Sequence, residues 1–113
     1  MPRDFPEPDW KTLSRLKPLA LDRLCQRILQ ESGGIVARAR EGEHHRVYLD
    51  LYRHIHESDE TVAVCFNDFK RSQAINILAN WRMNDLLTEE EFASFSPETC
   101  EVVNFLLRRA RRE

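Results

Sequence analysis

The stretch Asp59-Glu-Thr-Val-Ala-Val-Cys-Phe-Asn-Asp-Phe-Lys-Arg-Ser-Gln-Ala-Ile-Asn-Ile-Leu-Ala-Asn-Trp-Arg82 constrains the fold most. It is a long run of helix-compatible residues without Gly or Pro. Its apolar residues do not keep to one side. At 100° per residue, Val62, Cys65, Phe66 and Phe69 share one face, while Ala74, Ile77, Leu78 and Trp81 centre roughly 120° away. A polar waist from Asn67 to Gln73 separates the two sets, with Phe69 inside it. Read as one helix over about 59–82, the stretch changes its buried face part-way. That is the behaviour of a central helix touching different neighbours at its two ends.

The rest of the chain supplies helical neighbours. Only three Gly are present among 113 residues, two of them adjacent, so tight β-turn chemistry is scarce. Leu21, Leu24, Cys25, Ile28 and Leu29 follow i, i+3, i+4, i+7, i+8 and predict a helix over 18–32, begun at Pro18 and stopped by Ser32-Gly33-Gly34. A short helical piece from Asp9 carries Leu13 and Leu16 ahead of the Lys17-Pro18 break. Residues 35–42 read as either a short helix or a linker. A helix over 43–57 follows, with His44, Tyr48, Leu51, Tyr52 and Ile55 assigned to one stripe, and Ser58-Asp59 as the joint to the central helix. Asn84 is a candidate left-handed C-cap. Thr88 with Glu91 makes a capping box, and Ser96-Pro97-Glu98 restarts a helix that buries Val102, Val103, Leu106 and Ala110. The expected fold is all-α: a compact bundle of five to six helices around the 59–82 helix. Residues 1–9 are read as a flexible Pro-rich N-terminal arm, and 10–113 as a single helical domain.

Charge and cysteine usage narrow the function classes. The net charge of −2 divides into +2 over residues 1–56, −7 over 57–107 and +3 over the last six residues. A duplex-binding domain presents a broad basic face, whereas this chain has only a basic tip, so nucleic acid is not the expected partner. Cys25, Cys65 and Cys100 are odd in number and form no C-x-x-C pair, the usage of a reducing compartment. The first residues carry acids and prolines where a signal peptide needs an apolar run, and no apolar stretch is long enough for a membrane span. The cytoplasm is the expected location.

No constellation carries catalysis. Cys65 lies on an apolar helical face, and Cys100 is flanked by Glu98 and Glu101, the wrong charge for a thiolate. Phosphate loops and nucleophile elbows are absent from the sequence. Four histidines between 44 and 56 invite a metal, but chelation from one helix needs i, i+3 or i, i+4 spacing. His45 and His56 share a face yet stand roughly 16 Å apart along a helix. Neither metal nor cofactor is expected.

What remains is protein binding. The polar waist is read as a candidate contact in which Lys70 and Arg71 meet a partner acid, with Asp68 paired to Arg71. Trp10, Trp81, Phe92, Phe95, Tyr48 and Tyr52 are more aromatics than one small core needs, so some are expected at the surface or an interface, where Trp and Tyr are enriched; Trp10 and Trp81 are the candidates taken forward. The expected function is a small helical interaction or regulatory protein, not an enzyme, that binds another protein through Asp68, Lys70, Arg71, Trp10 and Trp81, and that can form a homodimer. The alternatives are a nucleic-acid binder using Arg108–Arg112 with Arg38, Arg40 and Arg46, and a small-molecule or metal-binding domain built on the histidine-bearing helix.

Overall fold

The computed structural model describes residues 5–112; the first four residues of the expected 1–9 arm lie outside them. The described residues are all-α, without strands, as the composition leads one to expect. Helix α1 spans Glu7–Ala37 and α2 spans His44–Val62. A π-type turn, Ala63–Asn67, and a 3-10 turn, Arg71–Gln73, lead into α3, Ala74–Met83. Then come the short α4, Glu89–Ala93, and α5, Pro97–Arg112.

The 59–82 stretch is not one helix. It is the end of α2, a break with Lys70 in extended conformation, and then α3. The physical reason is the face change itself. Cys65 and Phe66 belong to the same buried cluster as Ala74, Ile77, Leu78 and Trp81. A straight helix would point the two sets about 120° apart, so the chain turns at the polar waist and brings both to one core. The Trp81 indole N–H donates to the Cys65 carbonyl at 2.9 Å, holding α3 against the turn that precedes it.

Three more expectations are corrected in α1. The helix begins at Glu7, not after residue 9, with Glu7 and Asp9 as acids in the first turn, where they complement the helix dipole. Pro18 lies inside it rather than at a break. Leu13, Leu16, Ala20 and Leu24 are buried along one stripe, while Pro18 and Ser14 face water, which can take the carbonyl that proline leaves unpaired. Gly33 and Gly34 do not stop the helix, because neither takes a positive φ. Ser32 is buried with its hydroxyl on the Ile28 carbonyl at 2.8 Å, and α2 packs alongside to carry the chain to Ala37. The positive-φ turn falls instead at Gly42, so residues 35–42 are part helix and part loop.

The body of the molecule is built from the first two-thirds of α1, the π-turn, and α3 to α5. Trp81, Leu13, Leu78, Leu86 and Val103 are its most deeply buried side chains. On α5, Val103 and Leu107 are buried, while Val102 and Ala110 face solvent, contrary to expectation. The start of α5 fixes that rotation. The Asp9 carboxylate accepts from the Ser96 backbone N–H (2.9 Å), the Ser96 hydroxyl (2.7 Å) and the Thr99 hydroxyl (2.6 Å), tying the first turn of α1 to that of α5. The Thr88–Glu91 capping box forms as expected. The left-handed residue beside it is Asp85, not Asn84. Arg27 donates to the Asn84 and Asp85 carbonyls, and Arg23 to that of Leu86, which holds the chain in that turn.

Beyond Ile28 on α1 and Val62 on α2 the core cluster ends. The two helices continue as an antiparallel hairpin that extends from the body, and the molecule measures 57 × 30 × 24 Å. Across the seam, His54 Nε2 lies 3.5 Å from Glu31 and 3.4 Å from the Ile28 carbonyl, and Arg38 lies 3.8 Å from Asp50.

Candidate functional site

The five side chains singled out at the waist and by their aromatic character gather around one joint. Phe69 stands between the two tryptophans, with ring centroids 5.0 Å from Trp10 and 6.3 Å from Trp81, and the Lys17 ammonium lies 4.3 Å from the centre of its ring. Trp81 is fully buried and presents no surface. Asp68 and Arg71 do not pair. Arg71 reaches back to the start of α1, donating to the Phe5 carbonyl at 2.8 Å and to Glu7 at 2.7 Å. Asp68 lies instead 3.5 Å from Lys70, and both are exposed. The break at residue 68 explains the exchange, because the i, i+3 neighbourhood of a helix no longer exists there. Arg71, Trp10 and Trp81 therefore hold the fold together, and only Asp68 and Lys70 of the five are turned to solvent.

Beside the joint lies an open groove of about 490 Å³ between the π-turn, α3 and α5. Val64, Ile77, Ala79 and Leu106 contribute apolar lining, and Asn76 and Asn80 stand among its polar residues.

The largest unexplained feature is the hairpin arm. Helix α2 buries one apolar side chain, Val47, yet it exposes Tyr48, Leu49, Tyr52 and Ile55. The side of α2 turned to α1 carries Asp50, Leu51 and His54, which are only partly buried, so the expected stripe of Tyr48, Tyr52 and Ile55 is not the packed one. The seam is partly polar and the apolar face is open. Tyr48 and Tyr52 are 62% and 64% exposed, and on α1 Leu29 is 68% exposed. Single exposed apolar residues are ordinary, but a helix that exposes more apolar side chains than it buries is not.

These residues form one surface. On α1, Leu29 and Val36 sit about a quarter turn from the seam positions Ile28, Ser32 and Ile35. On α2, Tyr48, Tyr52 and Ile55 sit about a quarter turn from Val47, Asp50, Leu51 and His54, in the same rotational sense. Because the helices run antiparallel, equal rotations of the same sense bring both sets to the same side of the hairpin. His45 stacks on Tyr48 (6.3 Å) and His56 on Tyr52 (6.1 Å), framing that face. The two tyrosines alone leave roughly 250 Å² of side chain in water, most of it ring carbon.

Other chemistry is sparse. Among the described residues, no three His, Cys, Asp or Glu side chains converge as metal ligands, and no helix is long and apolar enough to cross a membrane. Burial pushes the Cys65 thiol up, and burial followed by the Asp9 charge pushes up Cys100, so neither is poised as a thiolate. Arg108, Arg109 and Arg111 are exposed at the end of α5. At the arm's tip, Arg38 and Arg46 are engaged by Asp50 and Glu43. Sequence reasoning counted Tyr48 and Tyr52 among the aromatics in excess of one core, but placed the candidate contact at the waist and the two tryptophans rather than on the arm. The available signal was the polar seam, since Asp50 and His54 fall at the spacing of the side facing α1. Compared with known proteins, the chain matches no family model, no curated protein and no solved structure.

Proposed function

We propose that this protein works by binding another polypeptide through the open face of its helical arm, as an interaction or regulatory protein without catalysis of its own. One observation carries the reading: α2 is anchored by a single buried apolar residue while two tyrosines, a leucine and an isoleucine stand in water. Interfaces draw their energy from such aromatic anchors, which supply large contact area at low entropic cost. The waist supports this less well, since three of its five candidate residues are engaged within the chain.

The test is a photo-crosslinking residue placed at position 52 in living cells, with the same residue at exposed position 15 on the outer side of α1 as control. The expected result is a defined covalent protein adduct from position 52 and none from position 15. If position 52 yields no protein adduct, the reading is refuted.

A further inference from the structure

The C-terminal part of α2 is acidic and its N-terminal turn carries two histidines, His44 and His45. The N-cap of the helix is Glu43, paired with Arg46 at 2.8 Å, its first turn contains no acid, and its last turn contains no base. Glu57, Asp59 and Glu60 gather at its C-terminal end and hold no ion pair among the described residues. An isolated helix is destabilised by acids near its C-terminus and bases near its N-terminus, by some tenths of a kcal/mol each. The acids at the end of α2 gain nothing from the dipole of their own helix.

The positions that flank the arm's face extend it toward those acids. His45, Tyr48, Tyr52, Ile55 and Asp59 fall at i, i+3, i+7, i+10 and i+14, the spacing of a coiled-coil seam, and all five are exposed. The seam is apolar in the middle, with histidine at one end and an acid at the other. A second identical helix laid parallel would set Asp59 against Asp59 and His45 against His45. Laid antiparallel about a two-fold axis through Tyr52, it sets Asp59 against His45 of the other copy, and Glu60 near His44. The same arrangement places Tyr48 beside Ile55 of the other copy.

We propose that the occupant of the arm's face is a second copy of this chain, packed antiparallel so that two hairpins form a four-helix bundle with the two-fold axis at Tyr52. The proposal rests on the interface reading above and names its partner. Area agrees with it. A stable interface takes about 800 Å² from each partner. The tyrosines give roughly 250 Å² of this, and Leu29, Val36, Leu49, Ile55 and the polar ends of the stripe extend along a helix about 28 Å long. An isologous contact also brings Asp59 and Glu60 of each α2 to His44 and His45 of the other.

The test is sedimentation velocity on the intact chain with three variants, each altered only at exposed positions so that helicity by circular dichroism should match the parent. Tyr52→Glu sets two carboxylates at the axis and is expected to weaken self-association about 100-fold or more. A chain carrying Asp59→Lys and Glu60→Lys, and a chain carrying His44→Glu and His45→Glu, should each be monomeric alone. Mixed together they should form a heterodimer, because the register that repels each copy from itself joins the two. A monomeric parent, a dimer indifferent to Tyr52→Glu, or charge variants that do not pair on mixing would overturn the proposal. A monomeric parent whose position 52 crosslinks to a different protein would refute the second copy while leaving the interface reading standing.

Discussion

Glu91 offers the sharpest quantitative check on how the body is held. Its carboxylate receives both terminal nitrogens of Arg23, at 2.6 and 2.9 Å, and accepts the Thr88 backbone N–H at 2.8 Å. The Arg23 hydrogen bonds, reinforced by the Thr88 contacts and the Arg23 charge, lower its pKa from 4.5 to about 2, against the opposing effect of burial. The sign of the linkage follows. The folded state holds the ionised form more tightly than the unfolded chain does, so the stabilisation is complete above pH 4.5 and is lost as pH falls toward 2. At 1.36 kcal/mol per pH unit the shift corresponds to about 3 kcal/mol. Water reaches both side chains, and screening reduces this to about 2 kcal/mol. Glu91→Gln removes the charge while keeping an oxygen for the Thr88 N–H. It should therefore lower stability in urea by about 2 kcal/mol at pH 7, a fall in Tm of about 8 °C. The gap between parent and variant should narrow steadily between pH 4.5 and the lowest pH at which both remain folded. A gap that is constant with pH, or below about 0.5 kcal/mol at pH 7, would show that the ion pair is a bystander.

Three further perturbations probe other parts of the structure. Asp9→Ala strands the Thr99 hydroxyl and the Ser96 N–H at a buried junction and should cost about 3 kcal/mol in urea unfolding; a loss under 1 kcal/mol would mean that α5 is capped without it. Gly34→Ala adds a methyl group into open space on a helical backbone and should stabilise by about 0.5–1 kcal/mol in a thermal melt; destabilisation would contradict a helix that runs unbroken to Ala37. Lys70→Glu breaks only an exposed contact with Asp68, so stability should change by less than about 0.5 kcal/mol. Self-association by sedimentation should be untouched, and a loss there would move the interface back to the waist.

The parts of the fold that were legible in the sequence are those written in local chemistry. Thr88 and Glu91 satisfy each other's backbone N–H across three residues, and Pro97 with Glu98 sets the first turn of α5; the structure forms both helices where those residues stand. Helical periodicity also detected the face change in 59–82, but periodicity measures direction and not continuity, so it could not tell a two-faced helix from two helices sharing one core. Gly33, Gly34 and Pro18 act as helix breakers only when no packing opposes them. Here the buried stripe of Leu13, Leu16, Ala20 and Leu24 and the flank of α2 oppose them, and both are tertiary facts. Asp9 and Ser96 are separated by 87 residues, and Arg71 and Phe5 by 66, so nothing local pointed to either contact. The candidate site was misplaced for a related reason. Tyr48, Tyr52 and Ile55 fit a core stripe as readily as an open one, and the signal that separates the two is the Asp50 and His54 pair on the side turned to α1.

The thin anchoring of the arm has a consequence for how the molecule breathes. With Val47 as the one fully buried apolar side chain of α2, the hairpin is expected to open as a unit at a free energy below that of the whole chain. Amide hydrogens of residues 44–58 should exchange with solvent long before those of Leu78 or Trp81 in the shared core. If a second copy covers the face, that exchange slows as protein concentration rises, while the core amides remain indifferent to it. The tip and the body of a 31-residue helix, α1, would then report two different equilibria along one continuous backbone.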